Sequence, residues 1–143
     1  MKFTRVLALV LVGIMAVVGL ASCGVADYPE ITVTIKIVAD DAEDPILNTE
    51  VKIKSENPTV LEAFQEACIL NEISYTLTEA GDSVADIQDY KDYTEKDTGI
   101  AHYWMYYIND VEPTSEKANV NAIADGDVIT YTYVTFDPAT ATK

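Results

Sequence analysis

The sequence predicts an α+β fold, a roll in which one helix covers one face of a mostly antiparallel sheet. Three observations predict it. The runs "ITVTIKIVAD" and "TEVKIKSE" alternate apolar and polar residues with a period of two, as half-buried antiparallel strands do. The next run, "NPTVLEAFQEACILNE", changes to helical spacing with no internal glycine or proline beyond Pro58. Further alternating runs follow, ending in "HYWMYYIND" and "DVITYTYVTF".

In the first strand Ile31, Val33, Ile35 and Ile37 share one face, while Thr32, Thr34 and Lys36 share the other. Charge and Pro45 in "DDAEDP" break the pattern, and Val51 and Ile53 then point inward while Glu50, Lys52 and Lys54 point outward. The two strands make a hairpin. A helix is expected over 59–71, with Val60, Leu61, Phe64, Ala67, Cys68 and Leu70 on its apolar face. Thr59 and Glu62 form a capping box at its start, and Pro58 blocks propagation backwards. "ISYTL" and "DSVADIQDY" form a second hairpin around Glu79-Ala80-Gly81-Asp82, and "KDYTEKDTG" reads as a polar loop. The aromatic strand follows, then a turn at Asn109-Asp110. In the last strand Ile129, Tyr131 and Tyr133 oppose Val128, Thr130 and Thr132.

Ahead of this domain stands "MKFTRVLALVLVGIMAVVGLASC". Lys2 and Arg5 precede an uncharged apolar run that ends in small residues, the pattern of a secretory signal. Leu20-Ala21-Ser22-Cys23 resembles a bacterial lipobox. That resemblance implies that Cys23 is the first mature residue and carries acyl chains. Two or more chains hold a protein firmly to a membrane, at ~0.8 kcal/mol per buried methylene. The expected organisation is a signal peptide over 1–22, a lipidated tether over 23–30, the folded domain over 31–136 and a tail over 137–143. The expected location is extracytoplasmic, anchored to a bacterial membrane by lipid.

Loss of the signal leaves seven basic residues against 24 acidic ones, a formal −17. Nucleic acid is excluded as a partner, because phosphate binding needs clustered Lys and Arg. With Cys23 lipidated, Cys68 has no partner for a disulfide and reads as a small buried hydrophobe. A Cys68–His102 catalytic pair has no support in the spacing. No G-x-S-x-G, P-loop or dinucleotide fingerprint is present, and His102 is the single histidine. The expectation is a protein that is not an enzyme and holds no resident cofactor or metal.

Residues Thr98 to Tyr133 resemble a known family, the domain similar to the C-terminal β-domain of transcobalamin and intrinsic factor. Trp104, Tyr106, Ile108 and Asn109 match its aromatic strand. Ala118, Ile123, Asp125-Gly126-Asp127 and Val128-Ile129 match its second motif. The upstream "PTVLEAF" helix, preceded by two strands, also fits. The resemblance implies a β-grasp-like roll. It also implies a small-ligand or partner surface, with cobalamin the leading ligand. In transcobalamin-type proteins this domain closes over a corrinoid held by a separate helical domain, which these residues do not contain. Two family glycines are replaced, by Asp110 and by Lys117. A lysine at positive φ is strained, so the backbone before Ala118 is expected to differ.

The aromatic strand carries two rows. Trp104, Tyr106 and Ile108 read as core, facing the helix together with Ile35, Val51 and Ile129. Tyr103, Met105 and Tyr107 point the other way. They form either a cross-strand surface cluster or an exposed platform for a planar ligand. Candidate ligand-binding residues are therefore Tyr103, Met105 and Tyr107, with His102 a candidate imidazole donor to cobalt. The partner is a small planar ligand such as a corrinoid, or a surface protein or polymer docking on the same face. The acidic groups Asp82, Asp86, Asp89, Asp92 and Asp97, and Asp40, Asp41, Glu43 and Asp44, lack the EF-hand arrangement. They read as solvated loops, and Asp125-Gly126-Asp127 reads as a turn.

Overall fold

A computed structural model describes residues 26–39 and 42–141. Asp40, Asp41 and Cys23, with the rest of the signal segment, lie outside the described residues. Two strands, β1 (Glu30–Ala39) and β2 (Leu47–Lys54), precede the helix α1 (Val60–Leu70). Strands β3 (Tyr75–Leu77), β4 (Val84–Ile87), β5 (Tyr93–Thr94), β6 (Ala101–Ile108) and β7 (Val128–Phe136) follow. The main sheet has the order β2-β1-β7-β6-β5, and β3 pairs with β4 in a separate hairpin. The central pair β1–β7 is parallel and the others are antiparallel. This is the expected α+β roll of β-grasp type.

Burial follows the alternation read from the sequence. Val33, Ile35, Ile37, Val51, Ile53, Ile129 and Tyr131 are all buried on one sheet face. Helix α1 packs on that face over β1 and β2, setting Phe64 against Tyr131 at a ring separation of 4.6 Å. Burying an aliphatic or aromatic side chain of this kind contributes about 1.5–3 kcal/mol. Thr59 Oγ1 accepts from the Glu62 backbone N–H at 3.3 Å, a cap that stabilises by about 1 kcal/mol. The backbone N–H groups of Val60 and Leu61 donate to Asn121 and Ala118, both at 3.0 Å. The helix start is thereby tied to the loop before β7.

Three details depart from the sequence reading. Leu70, expected on the apolar face, is 62% exposed at the end of the last helical turn. The polar loop contains β5, which pairs Tyr93 with His102 and Thr94 with Ala101. Trp104 shares the buried face, yet it is covered by Tyr90: its Nε1 donates to the Tyr90 carbonyl at 3.1 Å, and the rings meet edge to face. Among the described residues, no helix is long and apolar enough to cross a membrane.

Candidate functional site

Strand β6 pairs with β7 along its whole length, Tyr103 opposite Val134, Met105 opposite Thr132 and Tyr107 opposite Thr130. Directly opposed residues share a face. Tyr103, Met105, Tyr107 and Val134 therefore form one half-buried patch on the face away from α1. Phe136, 45% exposed, extends it next to Ala101. Helix α1 packs over β1 and β2, and strand β4 of the hairpin approaches β6. The three residues singled out on this row are thus brought together.

His102 is set apart from them. Its position in the alternation places it with Trp104 and Tyr106, on the opposite face. Its ring stacks on Tyr93 with centroids 4.5 Å apart. One ring nitrogen, Nε2, lies 3.2 Å from Glu95 Oε1, and Nδ1 lies 3.1 Å from Thr135 Oγ1. Both nitrogens are engaged, so ligation of a metal would require breaking one of these contacts. Hydrogen bonds from Thr98 and His102 hold the Glu95 carboxyl below its ordinary range.

A cavity of about 560 Å³ opens beside β6, within the ~300–1,000 Å³ range of small-ligand sites. Tyr103, Trp104, Met105 and Tyr106 line one side. Thr78, Asp82, Ser83 and Val84 of the β3–β4 hairpin line another, and Glu112, Pro113, Glu116 and Lys117 close an end. Its walls are cross-tied. Ser83 Oγ donates to the Glu116 carbonyl at 2.8 Å, and Asn119 N–H donates to the Asp82 carbonyl at 3.2 Å. Tyr106 Oη donates to the Ser115 carbonyl at 2.9 Å and accepts from Asn121 Nδ2. Asp82 accepts from Thr78 Oγ1 at 2.8 Å and meets Lys117 Nζ at 3.5 Å. These contacts hold its carboxyl below the usual range. Burial, reinforced by nearby Asp86, pushes the Asp92 carboxyl up. Sequence reasoning missed this cavity, because its two walls meet only when β6 and the hairpin are placed side by side.

Other candidates resolve into structural roles. Asp125 Oδ1 accepts from Thr32 N–H at 2.8 Å, and Asp127 accepts from Ala124 N–H and Asn109 Nδ2, each at 2.8 Å. The two carboxylates therefore organise the turn into β7. Asp86 accepts from Thr76 Oγ1 and from Asp92 N–H. Among the described residues no three His, Cys, Asp or Glu side chains gather as metal ligands would. Cys68 is buried in the core, and burial pushes its thiol up to about 12. Lys117 does not take a positive φ, whereas Asn109 and Asp110 do, at 52° and 63°.

No curated protein matches the chain. Among solved structures, the fold is similar to that of haptocorrin, crystallised in complex with Cbi, with a TM-score of 0.60 and 18% identity. That match covers 81% of this chain and 28% of the haptocorrin chain. A Ruminococcus gnavus protein suggested to bind metal matches with a TM-score of 0.46 and 11% identity, over 74% of this chain and 98% of that one. A family model described as "Domain of unknown function (DUF4430)" matches residues 57–135. That span is more than half of the sequence, and the chain belongs to this family.

Proposed function

We propose that this chain is a non-catalytic binding lipoprotein, anchored outside a bacterial membrane through lipid on Cys23. The row Tyr103, Met105 and Tyr107 receives a planar ligand, a corrinoid foremost. The observation that carries the reading is the half-buried aromatic row on the sheet face opposite α1, two of whose residues line the cavity. A tyrosine offers an apolar ring and a polar tip, and contiguous apolar patches on a small domain mark contact surfaces. The fold likeness to haptocorrin, solved with Cbi, supports a corrinoid as first choice. The adjoining cavity gives room for groups at the rim of such a ring.

Purified full chain in mild detergent is incubated with hydroxocobalamin and dialysed. Retained colour that is lost in a Tyr103→Ala, Tyr107→Ala double variant supports the reading, and a colourless protein refutes the ligand. Replacing Cys23 with Ser is expected to release the protein from the membrane. Phe136 extends the patch and favours a second reading, a surface protein or polymer docked on the same face. Capture of such a partner that depends on Tyr103 and Tyr107, without retained colour, selects it.

A further inference from the structure

Backbone groups along β6 alternate in direction. Ile108 exchanges backbone hydrogen bonds with Val111, both at 3.0 Å, and Asn109 N–H donates to Val128 on β7 at 2.8 Å. In an antiparallel ladder this alternation continues along the strand. The N–H and C=O groups of Tyr103, Met105 and Tyr107 therefore bond to β7, and those of Trp104 and Tyr106 point away from it. At His102 the outward side is covered by Tyr93 of β5, but β5 stops there. The outward backbone groups of Trp104 and Tyr106 meet no protein partner among the described residues. They face the cavity that these two residues line.

Exposed strand edges are usually shielded by lysine, proline or a bulge. From Tyr103 to Ile108 the strand itself has none of these: it is aromatic and regularly paired to β7, and the β3–β4 hairpin faces it across the cavity. Its surroundings are acidic instead. Asp82, Asp92, Glu112 and Glu116 line the cavity, and its single cation, Lys117, is already paired with Asp82. Among the described residues no basic side chain is paired with Asp92, Glu112 or Glu116. Hydrogen bonds between the hairpin and the 115–121 loop hold the groove in shape, which lowers the cost of ordering it on binding.

We infer that the open edge of β6 takes up an extended, lysine- or arginine-bearing segment of a partner protein. The segment adds to the main sheet as a sixth strand by bonding the backbone of Trp104 and Tyr106. Strand addition draws affinity from main-chain hydrogen bonds and selectivity from the pockets that receive alternate side chains. The carboxylates around the groove select a basic segment and repel an acidic one. This site uses the strand edge and goes beyond the planar-ligand reading, which uses the side chains on the sheet face.

The test uses full chain in mild detergent and three blocked five-residue peptides: alternating Lys and Val, the same with Glu for Lys, and the Lys peptide N-methylated at its valines. Calorimetry is expected to show the Lys peptide binding at least tenfold more tightly than either other peptide. Hydrogen exchange is expected to show new protection at the Trp104 and Tyr106 amides. An Asp92→Asn, Glu112→Gln variant is expected to bind the Lys peptide at least threefold more weakly. Equal binding of the N-methylated peptide, or protection absent at those two amides, would overturn strand addition. Equal binding of the Glu peptide, or an unchanged affinity in the double variant, would overturn the basic partner. Failure to retain hydroxocobalamin bears on neither result.

Discussion

Asn109 and Asp127 lock the two halves of the sequence motif together: Asn109 Nδ2 donates to Asp127 Oδ1 at 2.8 Å. Asn109 Oδ1 in turn accepts from Val128 N–H at 2.9 Å, and Asp127 Oδ2 accepts from Ala124 N–H at 2.8 Å. One side chain thus ties the end of β6 to the start of β7, which itself pairs with β1. Asn109 does this from a left-handed backbone, φ 52°, a conformation Asn tolerates better than most residues. Asn109→Ala is expected to cost about 2 kcal/mol, from two lost side-chain hydrogen bonds and a less tolerant residue. Urea denaturation measures it, and a loss below about 0.5 kcal/mol would show the contact to be incidental.

Asp110 follows at φ 63°. Two successive positive φ values define the hairpin turn that favours Asn-Gly. Asp110→Gly is expected to raise stability by about 0.5–1 kcal/mol, since glycine meets no steric penalty there. A destabilised variant would mean that the Asp110 carboxylate makes a contribution larger than the backbone relief.

Tyr131 is 2% exposed, and its hydroxyl has no hydrogen-bond partner among the described residues. A buried hydroxyl without a partner costs about 1–3 kcal/mol. Tyr131→Phe keeps the ring against Phe64 and Tyr106 and deletes the orphan oxygen. The melting temperature is expected to rise, and a fall would reveal a partner for that hydroxyl.

Cys68 gives a pH-dependent prediction. Burial raises its thiol to about 12 in the folded chain, above the ~8.5 of a free thiol. Between these values the unfolded state releases a proton that the native state retains, so stability falls as pH rises through that window. In a Cys23→Ser protein Cys68 is the sole thiol. It is expected to resist a thiol reagent at pH 8 until denaturant is added, whereas rapid labelling of native protein would contradict its burial.

Strand alternation, the helix with its Thr59 cap, the two hairpins and the two rows of β6 were all legible in the residues. Each is a local property: a period of two or 3.6 assigns faces without reference to neighbours. The pairing of Tyr103, Met105 and Tyr107 in one row was therefore readable. His102 was grouped with that row although the same alternation sets it on the other face, and its contacts with Glu95 and Thr135 were not readable. Those contacts depend on β5 and β7 lying on either side of it.

By itself the sequence determined which residues of each strand face together, where the helix starts, and that the chain is strongly acidic. Only the tertiary structure decided which sheet face α1 covers, that Tyr90 shields Trp104, and that β5 stops short and leaves the β6 edge open beside an acidic cavity. The reason is physical: side-chain direction is written into the backbone of a single strand. Which strand lies next to it, and where that neighbour ends, depends on contacts between residues far apart in the chain.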